Sequence, residues 1–126
     1  MIDLRCATAD NFVGVPLYQA GHGAWCTSRW LALAVAANQL RAQGHALVFW
    51  DCYRPHDVQV RMSAEVPNPN WVAHPSDFAR SHEAGRSVDV TIADGYYGWL
   101  LDMGTGFENF TPKSLAYATD GVTAEQ

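Results

Sequence analysis

The chain has 126 residues, 48% of them hydrophobic and 12% aromatic, with a formal net charge of −5. That suits one soluble globular domain, with enough chain to build a core without disulfides or a structural metal. Eight basic residues against thirteen acidic ones speak against a surface that tracks nucleic-acid phosphates, no apolar run approaches the ~20 residues of a membrane span, and the aromatic content excludes intrinsic disorder.

The N-terminus, Met1-Ile2-Asp3-Leu4-Arg5, has neither a basic nor an apolar leader region. Three widely spaced cysteines, Cys6, Cys26 and Cys52, form no C-x-x-C pair. The expectation is reduced thiols in a cytoplasmic protein. Residues 3–27 read as irregular, with room for one short strand. Ser28 is a candidate N-cap for a helix over Arg29–Gln43, with Gly44 as its C′ residue. Apolar residues cover most of that helix's circumference, so burial is expected. Residues 46–50, Ala-Leu-Val-Phe-Trp, predict a short buried strand. Pro55 biases Arg54 towards extended backbone, and a second helix is expected just after it, through Met62.

Three prolines make 66–78 a loop. Ser87–Ile92 alternates: Val88, Val90 and Ile92 point one way, and Ser87, Asp89 and Thr91 the other. The reading is a half-buried strand with Asp89 on its polar face. Asp94-Gly95 marks a turn, and Tyr96–Met103 a second aromatic strand or hairpin arm. From Gly104 the chain is polar and irregular. Thr123-Ala124-Glu125-Gln126 fits the capping box that opens a helix, which leads us to expect that a further element belongs to the complete protein. No repeat or linker divides residues 1–126, which read as a single domain.

The strongest chemical signal is Ser81-His82-Glu83-Ala84-Gly85-Arg86-Ser87-Val88-Asp89. Gly85 permits a sharp turn that brings an imidazole towards a carboxylate, and both are suitable zinc ligands. The alternative is a surface aspartate and a solvated histidine. His82-Glu83 also begins like the H-E-x-x-H zinc helix, but Arg86 stands where its second histidine belongs. The second signal is Asp51-Cys52-Tyr53-Arg54-Pro55, just past a predicted strand. Its guanidinium is either free to meet an oxyanion or a structural partner of Asp51.

Taken together, these segments resemble the VanX-type D-alanyl-D-alanine dipeptidases, zinc enzymes related to the DD-carboxypeptidases. Ala7–Gly14 is similar to that family's A-T-x-D-N-F-x-G. Asp51–Pro55 is similar to its D-x-Y-R-P. His82–Asp89 is similar to its H-x-x-G-x-x-x-D. Asp102–Phe110 is similar to its M-G-[ST]-x-F-[DE]-x-F. The segments occur in the family's order across almost the whole chain.

The resemblance implies an α+β fold, with a mainly antiparallel sheet and helices packed on one side. It implies zinc held by His82 and Asp89, and Arg54 stabilising the oxyanion of a small dipeptide of the D-Ala-D-Ala kind. It further implies substrate contacts from Ser81, Glu108 and Tyr53, with Glu108 meeting the ammonium group. In the family the third ligand and the general base come from a later E-x-x-H segment. This sequence contains no E-x-x-H and no histidine after His82.

A separate C-terminal helix–strand fragment of the same enzyme is therefore an expected partner. Three other readings stand beside it. The chain is a catalytically inactive binding module, or a related DD-carboxypeptidase acting on cell-wall peptides, or an enzyme in which His74 or His56 replaces the missing ligand. The sequence also departs from the family at Arg80, where a serine is usual, and at Cys6, where an aromatic is common.

Overall fold

A computed structural model describes residues 1–18, 30–75, 81–115, 117–118, 121 and 123. Its regular elements are α1 (Trp30–Ala42), β1 (His45–Asp51), α2 (His56–Glu65) and β2 (Asp89–Asp94), with 3-10 turns at Arg5–Ala7 and Pro112–Ser114. Helices and an antiparallel sheet make this an α+β arrangement, as expected. Ser28, Cys26, residues 76–80 and most of Thr123–Gln126 lie outside the described residues, so the expected N-cap and C-terminal capping box go unassessed.

α1 ends as its sequence dictates. Gly44 follows it at φ +81°, a left-handed conformation that glycine adopts without a steric penalty. The expected burial of α1 is corrected: Leu31 is 86% and Val35 56% exposed. The helix rests on β1, and one small sheet covers only part of a helix that is apolar nearly all round. α2 starts at His56, immediately after Pro55, whose φ of −57° and ψ of 150° set the extended approach. It buries Val58, Gln59 and Met62. Val58 and Met62 join Cys6 and Val72 in the core, with Phe12, Leu17, Trp71 and Phe110 packed around them.

β1 and β2 pair antiparallel, from His45 opposite Asp94 to Phe49 opposite Val90. The register then slips, so that Asp51 stands opposite Asp89. Trp50 is the extra residue of this bulge. The far edge of β1 is bridged by Ile2 at Phe49, and β2 is bridged by Leu100 at Ala93. The Tyr96–Met103 hairpin arm thus forms only at this short contact, and Tyr96, Tyr97 and Trp99 stay largely exposed. At the turn before it, the Gly95 N–H donates to Gly44 O at 2.7 Å. A Cβ on Gly95 would stand 2.6 Å from that oxygen, so only glycine allows the approach.

One expectation about β2 is corrected. The strand begins at Asp89, two residues later than predicted. Its buried side chains are Thr91 and Ala93, while Val90 is 39% exposed. Alternation defined two faces but not which was inner. The polar face turns inwards because a buried arginine waits there. The cysteines need a correction too. Cys6 is a free, buried thiol, but Cys52 is disulfide-bonded, which removes the support that reduced thiols lent to a cytoplasmic location. Among the described residues, no helix is long and apolar enough to cross a membrane.

Candidate metal and substrate site

Arg54 is the hub of the site, and it is 7% exposed. Its Nε donates to Asp51 Oδ2 at 2.9 Å, and Nη2 lies 2.9 Å from the same oxygen. Nη2 also donates to Asp89 Oδ2 at 3.2 Å, and Nη1 donates to Gln59 Oε1 at 2.8 Å. Burial alone would lower the guanidinium pKa. Asp51 and Asp89 more than offset this and hold it above its ordinary value. Both sequence readings of Arg54 therefore meet here: it is paired with Asp51, and it faces an open cavity.

Asp51 is 2% exposed and fully occupied. Its Oδ1 accepts from Tyr18 Oη at 2.7 Å and from its neighbour Cys52 N at 2.8 Å. Its Oδ2 takes both contacts from Arg54. Tyr18, buried beside this carboxylate, has its phenol pKa pushed well up, by burial first and then by Asp51. A carboxylate has about four lone-pair sites, and Asp51 uses all of them.

His82 sits in a turn closed by Gly85 N–H donating to His82 O at 3.0 Å, with Gly85 at φ +63°. This is the sharp turn expected of Gly85. His82 Nδ1 lies 3.0 Å from Cys52 O. A carbonyl oxygen only accepts, so Nδ1 carries the proton and Nε2 keeps its lone pair. His82 Nε2 is 3.5 Å from Asp89 Oδ1. Burial holds the Asp89 carboxyl above its ordinary value, against the lowering effects of His82 and Arg54. Its side chain is nevertheless 46% exposed, so water and a ligand can reach it.

Among the described residues, Asp51, His82 and Asp89 form a group whose ligand atoms lie within 4.8 Å of one another. The donor chemistry fits zinc at two of them. An imidazole with Nδ1 tied to a carbonyl and Nε2 free is the usual state of a metal-bound histidine, and Asp89 adds a reachable carboxylate. Asp51 does not fit, because ligation would cost its bonds to Arg54. His56 is engaged elsewhere, with Nδ1 2.9 Å from Glu83 Oε2. His74 lines a separate hollow with Val60 and Pro67.

An open cavity of about 830 Å³ adjoins the site, lined by Arg54, Asp89, Trp50, Phe107, Phe110 and Glu108 among others. Glu108 occupies an uncommon left-handed backbone conformation at φ +52°, and its Oε2 accepts from Phe12 N at 2.6 Å. The bond joins two of the segments quoted above, Ala7–Gly14 and Asp102–Phe110. Burial raises the Glu108 carboxyl to about 7, against the lowering effects of Phe12 N–H and Arg54.

Ser81 and Tyr53 are not brought to this cavity. Ser81 instead offers its carbonyl to Arg86 N at 2.8 Å and Ser87 N at 3.2 Å. His82 is tied to the site by its Nε2 facing Asp89 and by its carbonyl, which accepts from Arg54 N at 3.3 Å. Sequence reasoning missed Tyr18 and Gln59. Gln59 had a readable signal, a polar side chain between Val58 and Met62 on an apolar helix face. Tyr18 had none.

A family model for the D-Ala-D-Ala dipeptidases of peptidase family M15 matches residues 1–126. The chain belongs to this D-Ala-D-Ala dipeptidase family. A D-alanyl-D-alanine dipeptidase of Escherichia coli (strain K12) is 33% identical over 116 residues, 92% of this chain and 59% of that protein. One from Enterococcus faecalis (strain ATCC 700802 / V583) is 30% identical over 135 residues, 89% of this chain and 65% of its own length. One from Streptomyces coelicolor is 31% identical, with 98% of this chain and 70% of that protein aligned. The chain thus spans about three fifths of the E. coli dipeptidase. Family membership accounts for the order of the motif segments, two of which supply His82, Asp89 and Arg54.

Proposed function

We propose that this chain is the zinc- and substrate-binding part of a D,D-dipeptidase. His82 Nε2 and Asp89 would hold the ion, and a third ligand and general base would come from an E-x-x-H segment not contained in residues 1–126. The observation that carries this reading is the oriented, unsaturated His82–Asp89 pair beside a buried, charged Arg54 at one cavity. Zinc in such a site polarises the scissile carbonyl and acidifies water.

The chain's own residues do the rest. One N–H on Arg54 Nη1 remains after its bonds to Asp51, Asp89 and Gln59. It serves as a fixed charged donor for the oxygen on which negative charge develops. Glu108, at the same cavity, pairs with the ammonium group of a dipeptide. Trp50, Phe107 and Phe110 line the same cavity and offer apolar surface to a small substrate.

The test measures zinc content and D-Ala-D-Ala hydrolysis, with and without a polypeptide carrying the E-x-x-H region. Both should rise on addition, and Arg54→Ala should then lower kcat by about 10²–10³-fold. Background values for both after addition would refute the reading. A second reading has its own support, because the described residues supply only two unsaturated ligands. The chain alone would then be a binding module for a charged peptide, held by Arg54 and Glu108 without turnover. Peptide binding that survives chelation would favour it.

A further inference from the structure

We infer that Gln59 is a positioning residue that fixes the direction of the Arg54 guanidinium towards the cavity. Its catalytic consequence rests on the dipeptidase reading above; its geometry does not. Both Asp51 contacts to Arg54 converge on a single oxygen, Oδ2. Two bonds to one atom leave the guanidinium plane free to tilt about it. The bond to Asp89 is longer, at 3.2 Å, and Asp89 is itself half exposed. Gln59 supplies the remaining anchor, on the opposite nitrogen: Nη1 donates to Gln59 Oε1 at 2.8 Å.

Gln59 is itself fixed. It is 4% exposed, and its Nε2 donates to Ala73 O at 2.5 Å. Ala73 O accepts only, so the amide cannot flip, and Oε1 must face the arginine. Because Gln59 takes one Nη1 hydrogen, it dictates where the other points. Its neutrality matters as much as its reach. Two carboxylates already face Arg54, and a third would spend the positive potential that an oxyanion needs. An amide orients the guanidinium without neutralising it.

The experiment has two arms. In the 126-residue chain labelled with ¹⁵N-arginine, a guanidinium held on both sides gives resolved Nη resonances, identified by their loss in Arg54→Lys. They should collapse in Gln59→Leu and persist in Gln59→Glu, which keeps the acceptor. Unchanged resonances in Gln59→Leu would overturn the positioning role, whether or not the protein is an enzyme.

In the protein completed with the E-x-x-H region, Gln59→Leu should lower kcat about tenfold with KM within about twofold. Combined with Arg54→Ala, it should cost less than about twofold more. A further tenfold loss in that double variant would show that Gln59 acts through the Ala73 loop instead, and would refute the inference. Gln59→Glu should lower kcat although the resonances persist; full activity would refute the requirement for a neutral acceptor. If the unsubstituted protein hydrolyses nothing while the resonances behave as expected, the dipeptidase reading fails and the positioning role stands.

Discussion

The two halves of the site are built differently. Around Asp51, Arg54 and Gln59, each group is more than nine-tenths buried and each charged or amide group has partners. Around His82, Asp89 and Glu108, side chains are partly exposed and keep free acceptor sites. The closed half cannot take a metal ion without breaking bonds, and the open half can. Proximity alone groups Asp51 with His82 and Asp89. Counting lone pairs separates an anchor from two ligands.

The largest effect should come from breaking the closed half. Asp51→Ala strips the partner from a buried guanidinium and leaves Tyr18 Oη and Cys52 N without their acceptor. Removing one member of a buried pair typically costs about 3–5 kcal/mol, and urea unfolding will show it. In the open half the same measurement should respond weakly. His82→Ala loses one hydrogen bond at a partly exposed position, about 1 kcal/mol, yet should abolish zinc uptake by the completed protein. A stability loss in His82→Ala as large as that in Asp51→Ala would erase the distinction between the halves.

The smallest effect sharpens it through pH. Glu108 has its carboxyl raised in the fold to about 7, from an ordinary value of 4.5. Between those values the folded state holds a proton that the unfolded state has released. The contribution of Glu108 is therefore fully present below pH 4.5 and is lost as pH rises through about 7. Metal-free chain should show this decline in thermal unfolding, modest because the carboxylate is half exposed. Glu108→Gln should flatten it.

How much of this was legible beforehand depends on what kind of information each feature needs. β1, α2 and the 66–75 loop follow from local periodicity and proline placement, which the sequence states directly. His82, Asp89 and Arg54 were legible because they stand in motif segments. The burial of α1 was misjudged because an apolar surface shows what a helix tolerates, not whether a neighbour exists to cover it. The inner face of β2 was not legible for a related reason. Its polar side was buried by an arginine from another element, a tertiary fact that alternation does not contain. Ser81 and Tyr53 were carried over by resemblance, and neither lines the cavity. Gln59 shows the converse, since its chemistry appears only when Arg54 and Ala73 are seen on either side of it.

The bulge at Trp50 has a consequence for how such a site can be lost. In an unbroken antiparallel ladder Asp89 would face Trp50, and Asp51 would face Val88. The extra residue brings the two carboxylates opposite each other, where one arginine can bridge them. The charge cluster therefore depends on the local register of the two strands. Deleting residue 50 would still leave Asp51 opposite Asp89, in an unbroken ladder, whereas pairing Trp50 itself with Asp89 would turn Asp51 to the other face of the sheet. Ironing out the bulge with residue 50 kept, more than a change of residue type there, would take the cluster apart.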